Sequence, residues 1–429
     1  MQNIHRQLRL SDIDLCELSH FEQGCPHAFF DFLRQEAPVW YHPGNERTPD
    51  NEGFWVISRY REAKEVLKDH QRFSSETGYG AREGGGTILQ DLDKHMGPGQ
   101  VLAMMDPPKH DDIRALVNQG FLPRTLHYME AEISKSVERL LDNIEGKEEV
   151  DFLNEVAAQL PLEVICKMGG VPEEDWPKMM HWADAAIAYA AFDPKNDTEK
   201  LIAELTEMGM YALELIEKIR QQPNESVMSQ VIHAEIPGEN GKPRKLDELE
   251  LIRFFNLLIT GGTETTRNAI AYGLYQLIIE KDQRQAVADD SDNLLEPAIE
   301  EMLRWSSPVH FNRRTASCDI ELCGQTIRRG DKLTVWYPSA NRDKTVFETP
   351  HQFDIFRKKV PHIAFGQGIH HCIGAGLARM EMKILYRAFL QRTREKRIEA
   401  IRPIRFIRSN RHQGVAEMMI RIHNASLPN

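Results

Sequence analysis

The 429 residues have 41% apolar content and a net charge of −12, from 53 basic and 65 acidic side chains. That is ample for a sizeable core, and the acidic balance argues against nucleic acid or an anionic membrane as the main partner. No uninterrupted apolar stretch reaches the roughly 20 residues that a membrane span needs. Met1 to Asp14 is largely polar and charged, so the chain reads as cytoplasmic. The six cysteines, at 16, 25, 166, 318, 323 and 372, are scattered without a CxxC pair and read as reduced thiols.

Glu52 to Arg59 predicts a short strand and Tyr60 to Lys68 a helix. Thr77 to Gly99 is rich in glycine, with Gly84-Gly85-Gly86 and Gly97-Pro98-Gly99, and reads as a mobile lid. From Lys109 to Glu280 helical periodicity dominates, broken at Gly169-Gly170-Val171-Pro172, Phe192-Asp193-Pro194 and Ile236-Pro237-Gly238. Within it, Leu246 to Lys281 predicts one helix about 50 Å long at 1.5 Å per residue. Asp319 to Trp336 alternates as strands broken at Gly324-Gln325 and Gly330-Asp331, with Cys318 and Cys323 expected to pack there. Helix returns from Ile373 to Leu385, and Ile404 to Ile422 predicts terminal β-structure. No repeat or interdomain linker is visible. Residues 1–429 therefore predict a single domain, mainly α with a smaller β-rich portion.

Two segments conflict with their own surroundings. Phe365-Gly366-Gln367-Gly368-Ile369-His370-His371-Cys372-Ile373-Gly374 places a cysteine between a glycine-rich loop and a helix start. There, amide hydrogens and the positive end of the dipole stabilise a thiolate. The glycines let the backbone lie close against a flat group. A buried structural cysteine is the plain alternative. In the long helix, Gly261-Gly262-Thr263-Glu264-Thr265-Thr266 consists largely of poor helix formers, costing roughly 0.5–1 kcal/mol each relative to alanine. Such conflict marks either function or close helix packing, and both readings stand for Gly261 and Gly262.

The cysteine segment resembles the haem-ligand loop of the cytochrome P450 family, Phe-Gly-x-Gly-x-His-x-Cys-x-Gly, at all of its fixed positions. The resemblance implies the cytochrome P450 fold and haem b as cofactor. Cys372 would be the metal ligand, and Phe365, His370 and Gly374 would be cofactor contacts. The long helix is similar to the family's oxygen-binding helix. Gly261 would then lie against the cofactor, and Glu264 and Thr265 would be the acid–alcohol pair that delivers protons to bound oxygen. Dedicated peroxygenases of the family often lack that pair, so its presence implies O2 plus reducing equivalents.

Further matches extend the resemblance over residues 106 to 374. Asp106-Pro107-Pro108-Lys109-His110-Asp111-Asp112-Ile113-Arg114 implies that His110 and Arg114 meet a haem propionate. Arg314 is a further candidate, with Arg313 beside it leaving the register open. Glu301 and Arg304, an i, i+3 pair that alone would read as a surface ion pair, resemble the family's Glu-x-x-Arg element. With Arg357 they would brace the loop carrying Cys372.

The reaction implied is insertion of one oxygen atom into a C–H bond of a small apolar molecule, the other oxygen leaving as water. A haem-thiolate sensor, a non-redox haem-thiolate isomerase and a zinc site at Cys372, His370 and His371 are the rivals. The first two do not need Glu264 and Thr265, and the zinc site lacks a second ligand cluster. The pocket is expected from the loop Thr77 to Met104, Val309 to Asn312 and the turn Asn410 to Gly414. His310, Asn312, Arg411, His412 and Gln413 would make it polar at one end. That favours a bulky sterol- or terpenoid-like substrate with polar ends, with fatty-acid or alkane hydroxylation and aryl-ether O-demethylation as alternatives. The residues after Gly374 are too few for a flavin or iron–sulfur domain, so electrons are expected from a ferredoxin and its ferredoxin reductase. Arg357, Lys358, Lys359, Arg379 and Lys383 would form the basic docking patch.

Overall fold

The computed structural model describes residues 8–77, 82–93, 97–191, 193–238 and 242–424. Residues 1–7, the loop segments 78–81 and 94–96, and the expected break at Phe192 lie outside them. The largest apolar core gathers helices Pro123–Ile144, Gln159–Gly169, Trp176–Ala191, Thr198–Gln221, Ser291–Ser306 and Ala375–Arg392 around the long helix Glu248–Ile279. The long helix starts on a capping box, Asp247 accepting from the Glu250 amide and Glu250 from the Asp247 amide. It runs through the Gly-Gly-Thr segment without interruption. Thr260, Thr263 and Thr265 each donate a hydroxyl to the carbonyl four residues earlier, at 2.8–2.9 Å. No helix among the described residues is long and apolar enough to cross a membrane.

A five-stranded mixed sheet builds the other side. Its order is Val39–His42, Phe54–Ile57, Lys332–Trp336, Phe311–Ala316 and Phe73–Ser74. Lys332–Trp336 pairs parallel to Phe54–Ile57 and antiparallel to Phe311–Ala316, so the register depends on segments remote in sequence. The expected strand at 52–59 and helix Tyr60–Lys68 are present, the strand trimmed to Phe54–Ile57. The helix break at 169–172 coincides with Gly170 at φ +70°, a left-handed cap that favours glycine. The C-terminal β-structure is present, with Lys396–Ala400 added to it.

Two expectations need correction. Cys318 and Cys323 are exposed residues outside the strands, Cys323 sitting at φ +51° in the turn between Ile320–Leu322 and Gln325–Ile327, so neither packs in a core. The described part of the glycine-rich loop is tied down. Asp91 meets Arg313 at 2.7 Å, Arg82 at 2.6 Å and Lys332 at 3.2 Å, and Arg82 also bonds Glu52. These cations hold the Asp91 carboxyl far below its ordinary range.

Candidate active site

A cavity opens between the long helix, the strand Phe311–Ala316 and the cysteine loop. Gly261, Thr265, Arg114, Arg314, Phe365, His370, Cys372 and Gly374 all face it. The loop is held at several points. The Cys372 amide donates to the Phe365 carbonyl at 2.9 Å and the His371 amide to the Gly368 carbonyl at 3.1 Å. Arg114 caps the His371 carbonyl at 2.8 Å. The helix Ala375–Arg392 begins directly behind it, with Gly374 as its N-cap.

Cys372 touches open space in the cavity yet lies far below the molecular surface. Burial pushes its thiol up, and the Gly374 and Ala375 amides together with Arg114 and Arg379 pull in the other direction. Among the protein groups alone, burial outweighs the helix-start effect. A metal bound to sulfur would reverse that balance, because it favours the thiolate directly.

Glu301 and Arg304 are fully buried rather than on the surface. Two parallel bonds of 2.7 Å join them, and Arg357 reaches the same carboxylate at 3.2 Å. Arg304 also donates to the Asn341 carbonyl at 2.9 Å, and the Asn341 side chain accepts the Ile363 amide at 2.8 Å. The chain of bonds thus ends two residues before Phe365.

The other end of the cavity is cationic and short of acceptors. Arg314 is buried and, among the described residues, its side chain makes a single bond, to its neighbour's carbonyl at 2.8 Å. Arg313, in contrast, turns away into the Asp91 network, which settles the register in favour of Arg314. His370 packs edge-on against His110 at 4.6 Å, and the Nε2 atoms of both rings are buried without a partner among the described residues. Burial lowers both imidazoles. Carboxylates arriving here would find two orphaned ring nitrogens and an underused guanidinium. A haem with its propionates at this end and its iron at Cys372 fits that donor set.

Glu264 and Thr265 are not brought together. Thr265 faces the cavity, whereas Glu264 is buried behind it, ion-paired with Arg267 and bonded to Asn268 at 2.9 Å. Arg267 continues to the exposed Asp184 at 3.2 Å. Burial raises the Glu264 carboxyl, with Arg267 opposing. Both glycines line the cavity, but only Gly262 is also closely packed. At Gly262 a Cβ would lie 2.3 Å from Ile165, whereas at Gly261 the nearest atom is 3.9 Å away and the position opens to the cavity. Gly262→Ala should therefore cost about 1–3 kcal/mol by overpacking. Gly261→Ala should stabilise the helix by about 0.5–1 kcal/mol while placing a methyl in the pocket. Thermal melts of both variants check the contrast.

The expected polar end of the substrate pocket is absent. His310 bonds Gln413 at 2.6 Å and the Asn410 carbonyl at 3.1 Å, and Arg411 bonds Asn312 at 2.7 Å. Of the five polar residues only Asn312 reaches the cavity, and Tyr337 also holds it at 2.8 Å. The walls there are Leu102, Ala103, Phe254, Leu257, Leu258 and Val309. The basic patch is also reduced. Arg357 belongs to the buried Glu301 network, Arg379 pairs with Glu300 at 2.6 Å, and Lys383 pairs with Glu296 at 2.5 Å. Of the five, Lys358 and Lys359 alone show no acidic partner among the described residues, and both are exposed. Sequence reasoning also missed Glu381, which lines this cavity from the helix Ala375–Arg392. Its signal was a lone acid on an apolar helical stripe, at i+3 and i+4 from Ala378 and Leu377.

The cytochrome P450 family profile matches residues 177–404. Cytochrome P450 126 of Mycobacterium tuberculosis is 43% identical over 96% of this chain and 98% of its own. A methyl-branched lipid omega-hydroxylase of the same species is 32% identical over 89% of this chain and 88% of its own. A Mycobacterium marinum cytochrome P450 in complex with pseudoionone superposes with a TM-score of 0.83, at 30% identity, over 92% of this chain and 94% of that one. With the cysteine loop, the propionate-ready end and the long helix in this arrangement, the chain belongs to the cytochrome P450 family, a monooxygenase whose cofactor is haem b.

Proposed function

We propose that this monooxygenase hydroxylates a bulky, branched and largely apolar small molecule of steroid or terpenoid type, with electrons from a ferredoxin and its reductase in the cytoplasm. The observation that carries the substrate class is the apolar wall of the cavity, Leu102, Phe254, Leu257, Leu258 and Val309. Of the polar residues once expected there, His310 bonds Gln413 and Arg411 bonds Asn312, and His412 does not line the cavity, so polar ends are no longer required of the substrate. A relative named for a methyl-branched lipid and a structural neighbour holding pseudoionone support a branched apolar ligand.

Haem bound at Cys372 supplies the activation of oxygen, and the chain supplies binding, orientation and protons. The apolar walls take the substrate and exclude water. Thr265 offers its hydroxyl at the cavity face of the long helix, while Glu264, Arg267 and Asp184 link the back of that helix to the surface. A spin-shift titration of the haem protein against a steroid, terpenoid and fatty-acid panel tests the substrate class. Preference for linear fatty acids would reject it.

Thr265→Ala should leave substrate binding nearly intact while diverting electrons from NAD(P)H to hydrogen peroxide. An unaltered ratio of product to NAD(P)H consumed would remove the assigned role. Reduction by the ferredoxin should slow with added salt and with charge reversal at Lys358 and Lys359 together. Salt-independent reduction would put docking elsewhere.

A further inference from the structure

Outside the catalytic cavity, three side chains of metal-ligand type converge where the N-terminal segment meets the strand Val39–His42. The Asp14 carboxylate, the Cys16 thiol and the His42 ring each offer one atom, and these atoms lie within 4.8 Å of one another. His42 is 1% and Cys16 7% exposed, and no hydrogen bond reaches the thiol among the described residues. The other ring nitrogen fixes the tautomer. His42 Nδ1 lies 2.8 Å from the Pro43 carbonyl, which only accepts, so Nδ1 carries the hydrogen. Nε2 is then a bare lone pair, as the Leu15 amide pointing at it from 3.1 Å also requires. Yet Asp14 Oδ1, itself an acceptor, faces Nε2 at 3.3 Å. A proton on Nε2 would serve Asp14 but set the Leu15 amide against another N–H.

A divalent cation resolves that conflict, because both acceptors can bind it. Tetrahedral zinc with nitrogen and oxygen at about 2.0–2.1 Å sets those two atoms about 3.3 Å apart, which is the separation found between Nε2 and Oδ1. The partners of the three side chains suit the same purpose. Pro43 holds the ring with Nε2 toward the site, and Asn45 donates to the other Asp14 oxygen at 3.1 Å. Arg47 approaches that oxygen at 3.7 Å but is itself paired with Glu17 at 3.0 Å. Cys16 and Glu17 border an outer cavity of about 520 Å³, which gives the metal an entry path and leaves room for water as a fourth ligand. We propose that Asp14, Cys16 and His42 form a zinc site outside the haem pocket, tying the N-terminal segment to the edge strand of the five-stranded sheet. On binding, the Cys16 S–H bond breaks, the sulfur bonds the metal and the proton leaves to solvent. The Leu15 amide gives up its bond to Nε2, a cost set against the affinity. The inference is independent of the monooxygenase reading.

The test uses the haem protein, in which the Cys372 sulfur is committed to iron, stripped with EDTA and titrated with Zn2+. One equivalent should bind, with release of about one proton from the thiol. Zinc-edge X-ray absorption should show one sulfur at about 2.3 Å, with nitrogen and oxygen at about 2.0–2.1 Å. Cys16→Ser should lose the sulfur shell. Asp14→Asn should bind about tenfold more weakly or worse, since even the partners of a metal ligand are worth that much. Both variants should keep the red-shifted carbon monoxide band. A zinc shell without sulfur overturns the proposal, as does a sulfur shell that survives in Cys16→Ser and so belongs to the exposed Cys318 or Cys323. Unchanged affinity in Asp14→Asn, or no binding at one equivalent, overturns it too. Should Cys16→Ser not fold, alkylation of wild type read by mass spectrometry decides: zinc should protect Cys16, and equal labelling with and without zinc would reject the site.

Discussion

Cys372→Ser should abolish the red-shifted carbon monoxide band of the reduced protein. Serine keeps the backbone bond from residue 372 to the Phe365 carbonyl and can accept the same Gly374 and Ala375 amides. The loop should therefore hold its shape, and the loss would report sulfur chemistry alone. Thiolate ligation pushes electron density onto iron in a way that an alcohol does not. A variant that retains the band would place the ligand on another residue. Thermal melts of the empty proteins should differ little, which separates loss of ligation from loss of fold.

Arg304→Ala should cost about 3–5 kcal/mol, the scale for leaving one member of a buried pair without its partner. The Glu301 carboxylate would stay buried with Arg357 as its remaining ion partner, held at 3.2 Å. The Asn341, Pro350 and Gln352 carbonyls would each lose an arginine donor. Because Asn341 holds the Ile363 amide, the damage should travel to the cysteine loop and appear as weakened haem retention as well as a lowered melting temperature. Lys383→Ala offers the contrast, since its exposed pair with Glu296 is worth about 0–1 kcal/mol. Equal losses from the two substitutions would refute the bracing role.

Much of the frame was legible because it is written locally. The long helix ends within two residues of its expected limits, since a capping box and continuous helical periodicity are short-range signals. Strands such as Val39–His42 and Phe73–Ser74 escaped, because four-residue and two-residue elements carry almost no periodicity and exist only through pairing with remote partners.

The sequence by itself determined the chemistry of the ligand loop: a cysteine, its glycines and its histidine at fixed spacing before a helix. It also determined that the helix from Glu248 to Ile279 had to tolerate poor helix formers for a reason. Only the tertiary structure decided which neighbour does what. Gly262 packs on Ile165 while Gly261 has room for a side chain, and Arg314 enters the cavity while Arg313 leaves it. Glu264 turns to Arg267, and His310 is spent on Gln413. Adjacent residues on a helix or strand point in different directions. Which direction becomes the site depends on the elements packed on either side, and those come from distant parts of the chain.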